Sequence, residues 1–578
     1  MNKKLAISLL TFIFTLNAIG QTYISNVTIV DVVNKKLIPG QTVVMTNDMI
    51  SAIQPSAKIK IPENGKVIDG SGKYLMPGMT DAHVHFFQSG GVYTRPDALD
   101  LRKYYSYEKE INWVHTNMED LLRRYMQTGI TSVIDVGANY HFLQQRDSFA
   151  NKPYSPSIYM TGPLLTSYEP AVFKNLKNEE PFKLFTSAED ARKMVQEQLP
   201  YHPDFIKIWY IVNGDSVEAN AREYEPIIKV IIEESHKNNL KVAVHATERI
   251  TAQIAVENGC DYLVHDVDNE VISDGFVQLL KSKNVVLCPT LTVMSGYNKT
   301  FGQNNNFSLY DLIKSNPEQI GSLNDLKHLP NTAYLNQVKQ YVNSPKSIAQ
   351  SAHTDSIMMI NLKKMSDAGV LIAAGTDAGN IGTQHASSYL AELNAMKKSG
   401  MSNWQVLQSA TINPAKILNK EMSTGSISVG KKADLVLLNA NPLDSLENLA
   451  RIKLVFNKGI MIDPDTLIKE TPLSLVQRQL NGYNAGNIAG FLEPYAEDLE
   501  LYMFPDKLLS KGKQAMSKDY EDMFKTLPDL HCEIKERIIQ GNIIIDKESV
   551  SGFGKTNLLA TVIYHIENNK IKKVYFIQ

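Results

Sequence analysis

The run Gly78-Met79-Thr80-Asp81-Ala82-His83-Val84-His85-Phe86 places two histidines one residue apart. On a β-strand, side chains at i and i+2 leave the same face, so His83 and His85 present two imidazoles to one point in space. Two converging imidazoles begin a metal site, but His-x-His also arises by chance, and a site needs further ligands from elsewhere in the chain. Lys207, His245, His265 and Asp377 each fall within or at the end of an apolar, strand-like run, where a solvated charge is not expected. Taken singly, each has a structural explanation: a hydrogen-bonded core histidine, a lysine snorkelling to solvent, a helix-capping aspartate. Five strands of one periodic unit each delivering a metal-compatible group strain those explanations when taken together.

The elements that must position these groups follow a βα rhythm. Between residues 77 and 424, apolar β-branched runs alternate with longer amphipathic segments, as in a parallel sheet or barrel. The sequence predicts strands at 129–135, 203–209, 241–246, 262–265, 285–287 and 370–374, and helices at 118–128, 188–198, 225–238 and 251–258. In (β/α)8 barrels the C-terminal ends of the strands carry the active site, so residues there can converge from different strands. Between the last two strands lies a long polar segment, residues 297–351, of the kind that forms lids or binding loops. Ahead of the first strand, residues 23–74 read as a small all-β unit of hairpins.

Composition sets outer limits. At 578 residues the chain is too long for one core, and 43% hydrophobic with 21% charged residues is globular composition. A formal charge of -2 leaves no electrostatic footprint for nucleic acid. Lys3 and Lys4, an apolar run over 5–16, and Ala18-Ile19-Gly20 have the order of a secretory signal peptide too short to span a bilayer, with cleavage expected before Gln21. No cysteine follows that run, so neither a lipid anchor nor another stable membrane anchor is expected, and the mature protein is expected to be periplasmic or secreted. Cys260, Cys288 and Cys532, with no Cys-x-x-Cys among them, read as buried small hydrophobes.

Segments 75–86, 129–137, 205–209, 242–246, 262–265 and 375–379 resemble, in order, the motifs of the metal-dependent amidohydrolase superfamily, especially its imidazolonepropionase-like and prolidase-like branch. The likeness continues through Ser409-Ala410-Thr411-Ile412-Asn413-Pro414-Ala415, Gly425-Ser426-Ile427 and Gly430-Lys431-Lys432-Ala433-Asp434-Leu435-Val436. It implies an α/β fold: a (β/α)8 TIM barrel over 77–424, flanked by a small composite β-sandwich from residues 21–76 and 425–470. It also implies two divalent metals, commonly zinc, one held by His83, His85 and Asp377 and the other by His245 and His265, with Lys207 bridging. An unmodified ammonium has no acceptor, so Lys207 is expected to be N-carboxylated, its apolar neighbours lowering its pKa and exposing the neutral amine.

A metal-bridging hydroxide is then the implied nucleophile, and Asp377 the general base that later protonates the departing amine. Tyr210 and His385 are placed where substrate contacts are expected; His115, His141, His202, His236 and His353 lack comparable context. The expected activity is hydrolysis of a C–N amide bond in a dipeptide or N-acyl amino acid. Alternatives on the same site are a cyclic amidase, a lactonase or a deaminase; from a different class, an inactive barrel would serve as a ligand-binding protein.

Residues 473–578 open with a helix and close with four β-rich runs, an α+β layout. Tyr483-Asn484-Ala485-Gly486-Asn487, Tyr495-Ala496-Glu497-Asp498 and Ile571-Lys572-Lys573-Val574-Tyr575-Phe576 resemble the SnoaL-like, nuclear-transport-factor-like cone-shaped domains. Such cones host many functions. An accessory role is expected here, in homo-oligomerisation or substrate capture, with Asp498 a solvated carboxylate rather than a pocket acid.

Overall fold

In the β4 run Phe205–Trp209, alternate residues face opposite ways: Phe205 belongs to one buried cluster and Ile206 and Ile208 to another. This parity recurs around the central barrel of the computed structural model, which describes residues 21–330 and 332–577. The expected signal peptide, residues 1–20, lies outside the described residues.

The barrel strands are β1 (Met79–Val84), β2 (Ile130–Asp135), β3 (Ser157–Met160), β4 (Phe205–Trp209), β5 (Lys241–His245), β6 (Tyr262–Val264), β7 (Val286–Cys288) and β8 (Leu371–Ile372). Parallel ladders join β1–β2–β3 and β4–β5–β6–β7–β8. The Asp204 N–H donates to Met160 C=O (2.9 Å) between β3 and β4, and a short continuation of β3, Leu164–Thr166, pairs with β4 as well. Ala82 N–H to Ala374 C=O (2.9 Å), Asp377 N–H to His83 C=O (2.7 Å) and His85 N–H to Ala378 C=O (2.8 Å) close the circle between β8 and β1. Ala82, Ile134, Phe205, Ala243, Tyr262, Val286 and Ala373 fill the interior, while Ile206, Ile208, Val242, Val244 and Leu263 pack outward against the helices.

Two helices extend further than their sequence signals. The helix expected at 118–128 spans Tyr107–Gln127, because the Ser106 hydroxyl caps it by accepting the Lys109 N–H and Glu108 and Glu110 favour its first turn. The helix expected at 225–238 spans Val217–Lys237 with Pro226 inside it, where the sequence reads as a helix start.

The polar stretch between β7 and β8 is a cap of short helices. These are Val293–Phe301, Leu309–Lys314, Pro317–Ser322 and Ala333–Val342, leading into the long helix Pro345–Ala368. Its Asn and Ser content is the chemistry of helix starts: Ser308, Asn316, Thr332 and Ser344 all accept N-cap hydrogen bonds, and Pro317 and Pro345 occupy first-turn positions.

The composite β domain is one eight-stranded sheet drawn from both flanks of the barrel. Tyr74–Pro77 pairs antiparallel with Leu435–Leu438 and joins the two contributions. Its far edge bonds back on the other flank, through Ile50 N–H to Lys431 C=O (2.8 Å) and Ala433 N–H to Asp48 C=O (2.7 Å). The sheet thereby encloses Ile24, Val43, Leu75, Leu435 and Phe456.

After the helix Pro472–Asn484 comes a six-stranded sheet, with His531–Gln540 at one edge and Lys507–Lys511 at the other. This C-terminal domain rests on the cap: Asn481 Nδ2 donates to Pro317 C=O (2.7 Å), Asn487 Nδ2 to Phe307 C=O (3.0 Å), and His328 Nδ1 meets His531 Nε2 at 2.8 Å. Asp498 is exposed and ion-pairs with Lys572. Among the described residues no helix is long and apolar enough to cross a membrane.

Candidate active site

The C-terminal ends of the barrel strands surround a cavity of about 780 Å³, lined by His83, His85, Lys207, His245, His265 and Asp377 among others. His83 Nε2 and His85 Nε2 are 3.2 Å apart, and each is 3.1 Å from Asp377 Oδ1. His265 adds a ligand atom within 4.8 Å of those of His83 and Asp377, and its ring lies 4.4 Å from that of His245. Lys207, on the inward parity of β4, is 1% exposed.

The protonation pattern of these groups suits a cation. The His85 Nδ1–H donates to Gly137 C=O (3.1 Å), which leaves Nε2 with a bare lone pair. That lone pair faces His83 Nε2 and a carboxylate oxygen, and buried Asp377 Oδ1 has no hydrogen-bond donor. Two acceptors that meet at 3.1 Å, as neutral His85 Nε2 and Asp377 Oδ1 do, are reconciled by positive charge between them. Ligands bound to a divalent ion at about 2.0–2.2 Å are themselves roughly 3.0–3.4 Å apart, so the triangle fits. His265 Nδ1 is bonded to Thr290 Oγ1 (2.6 Å), the outer contact that commonly orients a metal-binding imidazole.

Burial pulls His83 and His245 well below the usual imidazole range and His265 to about 4, so their rings are neutral near pH 7. Burial also brings the Lys207 ammonium down to about 7, leaving a substantial fraction as neutral amine. The backbone is bent to deliver these groups: His265 (φ 73°), Thr290 (φ 49°) and Asp377 (φ 60°) all adopt left-handed conformations beyond strand ends. Such strain in non-glycine residues concentrates at functional sites. The buried Asp81 carboxylate fixes the approach to Asp377 by accepting the Thr376 N–H (3.0 Å) and hydroxyl (2.7 Å).

The structure thus brings together His83, His85, Lys207, His245, His265 and Asp377, and leaves Tyr210 and His385 outside the cavity. Tyr210 has the opposite parity from Lys207; it packs in the layer between strands and helices, and its hydroxyl donates to Ala221 C=O. His385 lies behind β1, stacked on Phe86 at 5.3 Å, donating from Nε2 to Gln88 C=O (2.9 Å) and accepting the Tyr125 hydroxyl at Nδ1 (3.0 Å). Neither is placed for the substrate contact expected of it. The residue with the right parity is Trp209, two positions after Lys207, which lines the cavity beside Phe182 at 4.8 Å. The cap supplies Tyr297, whose hydroxyl donates to Asn380 Oδ1 (2.7 Å); Arg95 donates to the same oxygen (2.5 Å) and is clamped by Asp97.

Comparison with known proteins agrees with this architecture. Residues 74–462 match the amidohydrolase family and residues 476–574 the SnoaL-like domain. Ochratoxinase of Aspergillus niger is 25% identical over 283 residues, covering 48% of this chain and 49% of that protein. An imidazolonepropionase from Geobacillus sp. (strain WCH70) is 34% identical over 110 residues, covering 19% of this chain and 24% of that one. The chain therefore spans about half the length, or less, of these curated relatives. Among solved structures, a putative prolidase from Bifidobacterium longum superposes with a TM-score of 0.57 at 22% identity, covering 79% of this chain and 98% of that chain. The chain belongs to the amidohydrolase family and carries a SnoaL-like domain after its barrel.

Proposed function

We propose that the protein is a metal-dependent hydrolase that cleaves the C–N amide bond of an N-acyl amino acid bearing a bulky apolar acyl group, and that it acts outside the cytoplasm. The observation that carries this reading is the convergence of His83 Nε2, His85 Nε2 and Asp377 Oδ1, the last without a hydrogen-bond donor, at the base of a roomy, largely apolar cavity. Phe87, Leu164, Phe182, Trp209, Met294 and Tyr297 form much of its wall, and a volume of about 780 Å³ suits a larger acyl group than a small dipeptide offers. The relatives named ochratoxinase and prolidase support hydrolysis at a C–N bond. The signal-peptide pattern over 1–20 supports export.

His83, His85 and Asp377 would hold one divalent ion, His245 and His265 a second, and Lys207 both once its neutral amine is carboxylated. When bound, such ions supply Lewis-acid polarisation of the scissile carbonyl and draw the pKa of a water towards neutrality. Asp377 takes the proton from the attacking water on its carboxylate and delivers it to the departing amine nitrogen, without which the amide would leave as a poor anion. Trp209 and Phe182 hold the acyl group and exclude bulk water, while the Thr290 contact keeps the His265 ring oriented.

The test is a substrate panel for the metal-loaded protein: N-acyl amino acids of graded acyl size, dipeptides and lactones, scored by release of free amine or acid. Amide cleavage with kcat/KM rising with acyl size is expected, and Asp377→Asn should lose turnover with less damage to metal content than His83→Ala or His245→Ala. Cleavage of lactones alone would overturn the C–N reading. Full metal content and turnover in all three variants would overturn the ligand assignment.

A further inference from the structure

A second group of imidazoles and a carboxylate meets on the barrel rim, where three βα connections come together. His115 lies on the helix Tyr107–Gln127 after β1, His141 in the first turn of Tyr140–Phe149 after β2, and Glu179 in the turn Lys177–Glu179 beyond β3. One nitrogen or oxygen from each lies within 4.8 Å of the others. His115 Nε2 is 3.2 and 3.1 Å from the two oxygens of Glu179, and His141 Nδ1 is 2.5 Å from one of them.

The surroundings fix the orientation of this group. Gln145 Nε2 donates to the His115 backbone carbonyl (3.0 Å), which turns the amide oxygen of Gln145 to His115 Nδ1 at 2.7 Å. Nδ1 therefore donates to Gln145, and the ring turns Nε2 toward the carboxylate of Glu179. Asn139, whose Oδ1 caps the following helix through Phe142 N–H (3.0 Å), donates from Nδ2 to Glu179 Oε2 (2.7 Å) and holds that carboxylate in place. Phe142 stacks on the His115 ring at 4.0 Å. Two ring nitrogens and a carboxylate so held are a donor set that one cation can join.

Protons on His115 Nε2 and His141 Nδ1 would also pair with Glu179, and the 3.9 Å between the two rings equally lets one ion sit between both nitrogens and the carboxylate. One divalent ion would take a ligand atom from each of the three residues at once. Two imidazoles and a carboxylate, with an amide oxygen orienting one ring from behind, is the donor set and supporting contact of a zinc-type site with water in the remaining position. The His115–Glu179 separations match the roughly 3.0–3.4 Å between ligands of such an ion. His141, with its side chain 50% exposed, needs only a small swing to open its 2.5 Å contact.

We propose that His115, His141 and Glu179 form a second metal site, separate from the central cavity, for a divalent transition-metal ion of the zinc class. Glu179 lies three residues before Phe182, which lines the central cavity and packs on Trp209. A bound ion would therefore fasten the connection that carries part of the substrate wall to the first two βα units.

The experiment uses the full chain, stripped with chelator, loaded with Zn²⁺ alone and desalted, with metal per chain counted by mass spectrometry. His141→Ala and Glu179→Gln should each hold one equivalent fewer than wild type, however many ions the central cavity retains. Zinc should also slow backbone hydrogen exchange over residues 171–184 in wild type and not in His141→Ala. Since His141 is half-exposed, that variant should fold and melt like wild type without zinc, so a missing equivalent reports the site and not a collapsed chain. Equal metal content in wild type and both variants would overturn the proposal, and so would an adventitious ion only, lost from wild type on desalting.

Discussion

Gly375 follows β8 so closely against β1 that a Cβ built on it would fall 2.6 Å from the His83 backbone nitrogen, 2.8 Å from His83 Cβ and 2.6 Å from Cys288 Sγ. Ordinary contact begins at 3.4 Å. Gly375→Ala must therefore displace β1 or β8 by about 0.8 Å, the gap between 2.6 and 3.4 Å. His83 Nε2, His85 Nε2 and Asp377 Oδ1 stand only 3.1–3.2 Å apart, so this shift is about a quarter of each edge. Asp377 comes two residues after Gly375, and the displacement reaches both sides of the triangle.

Overpacking of this sort costs about 1–3 kcal/mol. Mis-oriented ligands typically weaken metal binding by roughly 10- to 100-fold. Calorimetry of the metal-free variant should show a lower melting temperature, and competition against a chromophoric chelator should show the weaker zinc affinity. Adding Cys288→Ala clears the sulfur but leaves His83 in the way, so the double variant should regain part of the stability and little of the affinity. Unchanged zinc affinity in Gly375→Ala would refute the reasoning. Full recovery of both quantities in the double variant would do the same, since all the strain would then belong to Cys288.

Strand parity separates Trp209 from Tyr210: Trp209→Ala should raise KM for bulky acyl substrates, whereas Tyr210→Phe should leave kinetics unchanged and cost about 0.5–1.5 kcal/mol for the lost bond to Ala221 C=O. A kinetic defect in Tyr210→Phe with none in Trp209→Ala would reverse the assignment. At the contact between cap and C-terminal domain, burial, then His328 and Lys327, hold His531 down to about 3. Its folded pKa lies below its unfolded value, near 6.5, so the stability it contributes is complete above about pH 6.5 and declines as acid protonates the unfolded chain first. By pH 5 the loss approaches about 2 kcal/mol relative to His531→Gln, with Asp325, Glu533, Lys327 and Lys535 common to both proteins and cancelling in the difference. Hydrogen-exchange protection of His531–Gln540 at pH 7.5 and 5 measures it, and an identical pH dependence in the two proteins would contradict it.

The six inward groups of the central cavity are legible in the sequence because each interrupts or ends an apolar run; period-two alternation then places Lys207 and His245, while a register shift in β1 and the left-handed turns at His265 and Asp377 complete the convergence. His83 and His85 share a face, as do Phe205, Lys207 and Trp209. The same rule, applied one residue further, removes Tyr210 and selects Trp209; proximity in sequence is a poorer guide than parity. His385 obeys no strand period. Positive φ at Gly382 (80°) and Ala386 (67°) turns its segment behind β1, a path set by long-range contacts to Gln88 and Tyr125. The cap was legible as an insertion but not as helices, since Asn and Ser at its helix starts also mark turns.

The rim cluster marks where sequence ceases to suffice, for a physical reason. A ligand on a barrel strand inherits its direction from the ladder, so its neighbours in sequence report where it points. His115, His141 and Glu179 come from three separate βα connections, and their directions are set by Gln145, Asn139 and Phe142, residues unremarkable in composition and meaningful only once the helices are packed. What unites this cluster with the central cavity is an arrangement: in each, a hydrogen bond behind one imidazole engages Nδ1 and turns Nε2 toward a carboxylate. Because Glu179 and Phe182 share one short connection, a cation at the rim and a substrate in the cavity would act on the same piece of backbone, and zinc at the rim should tighten the wall against which the acyl group rests.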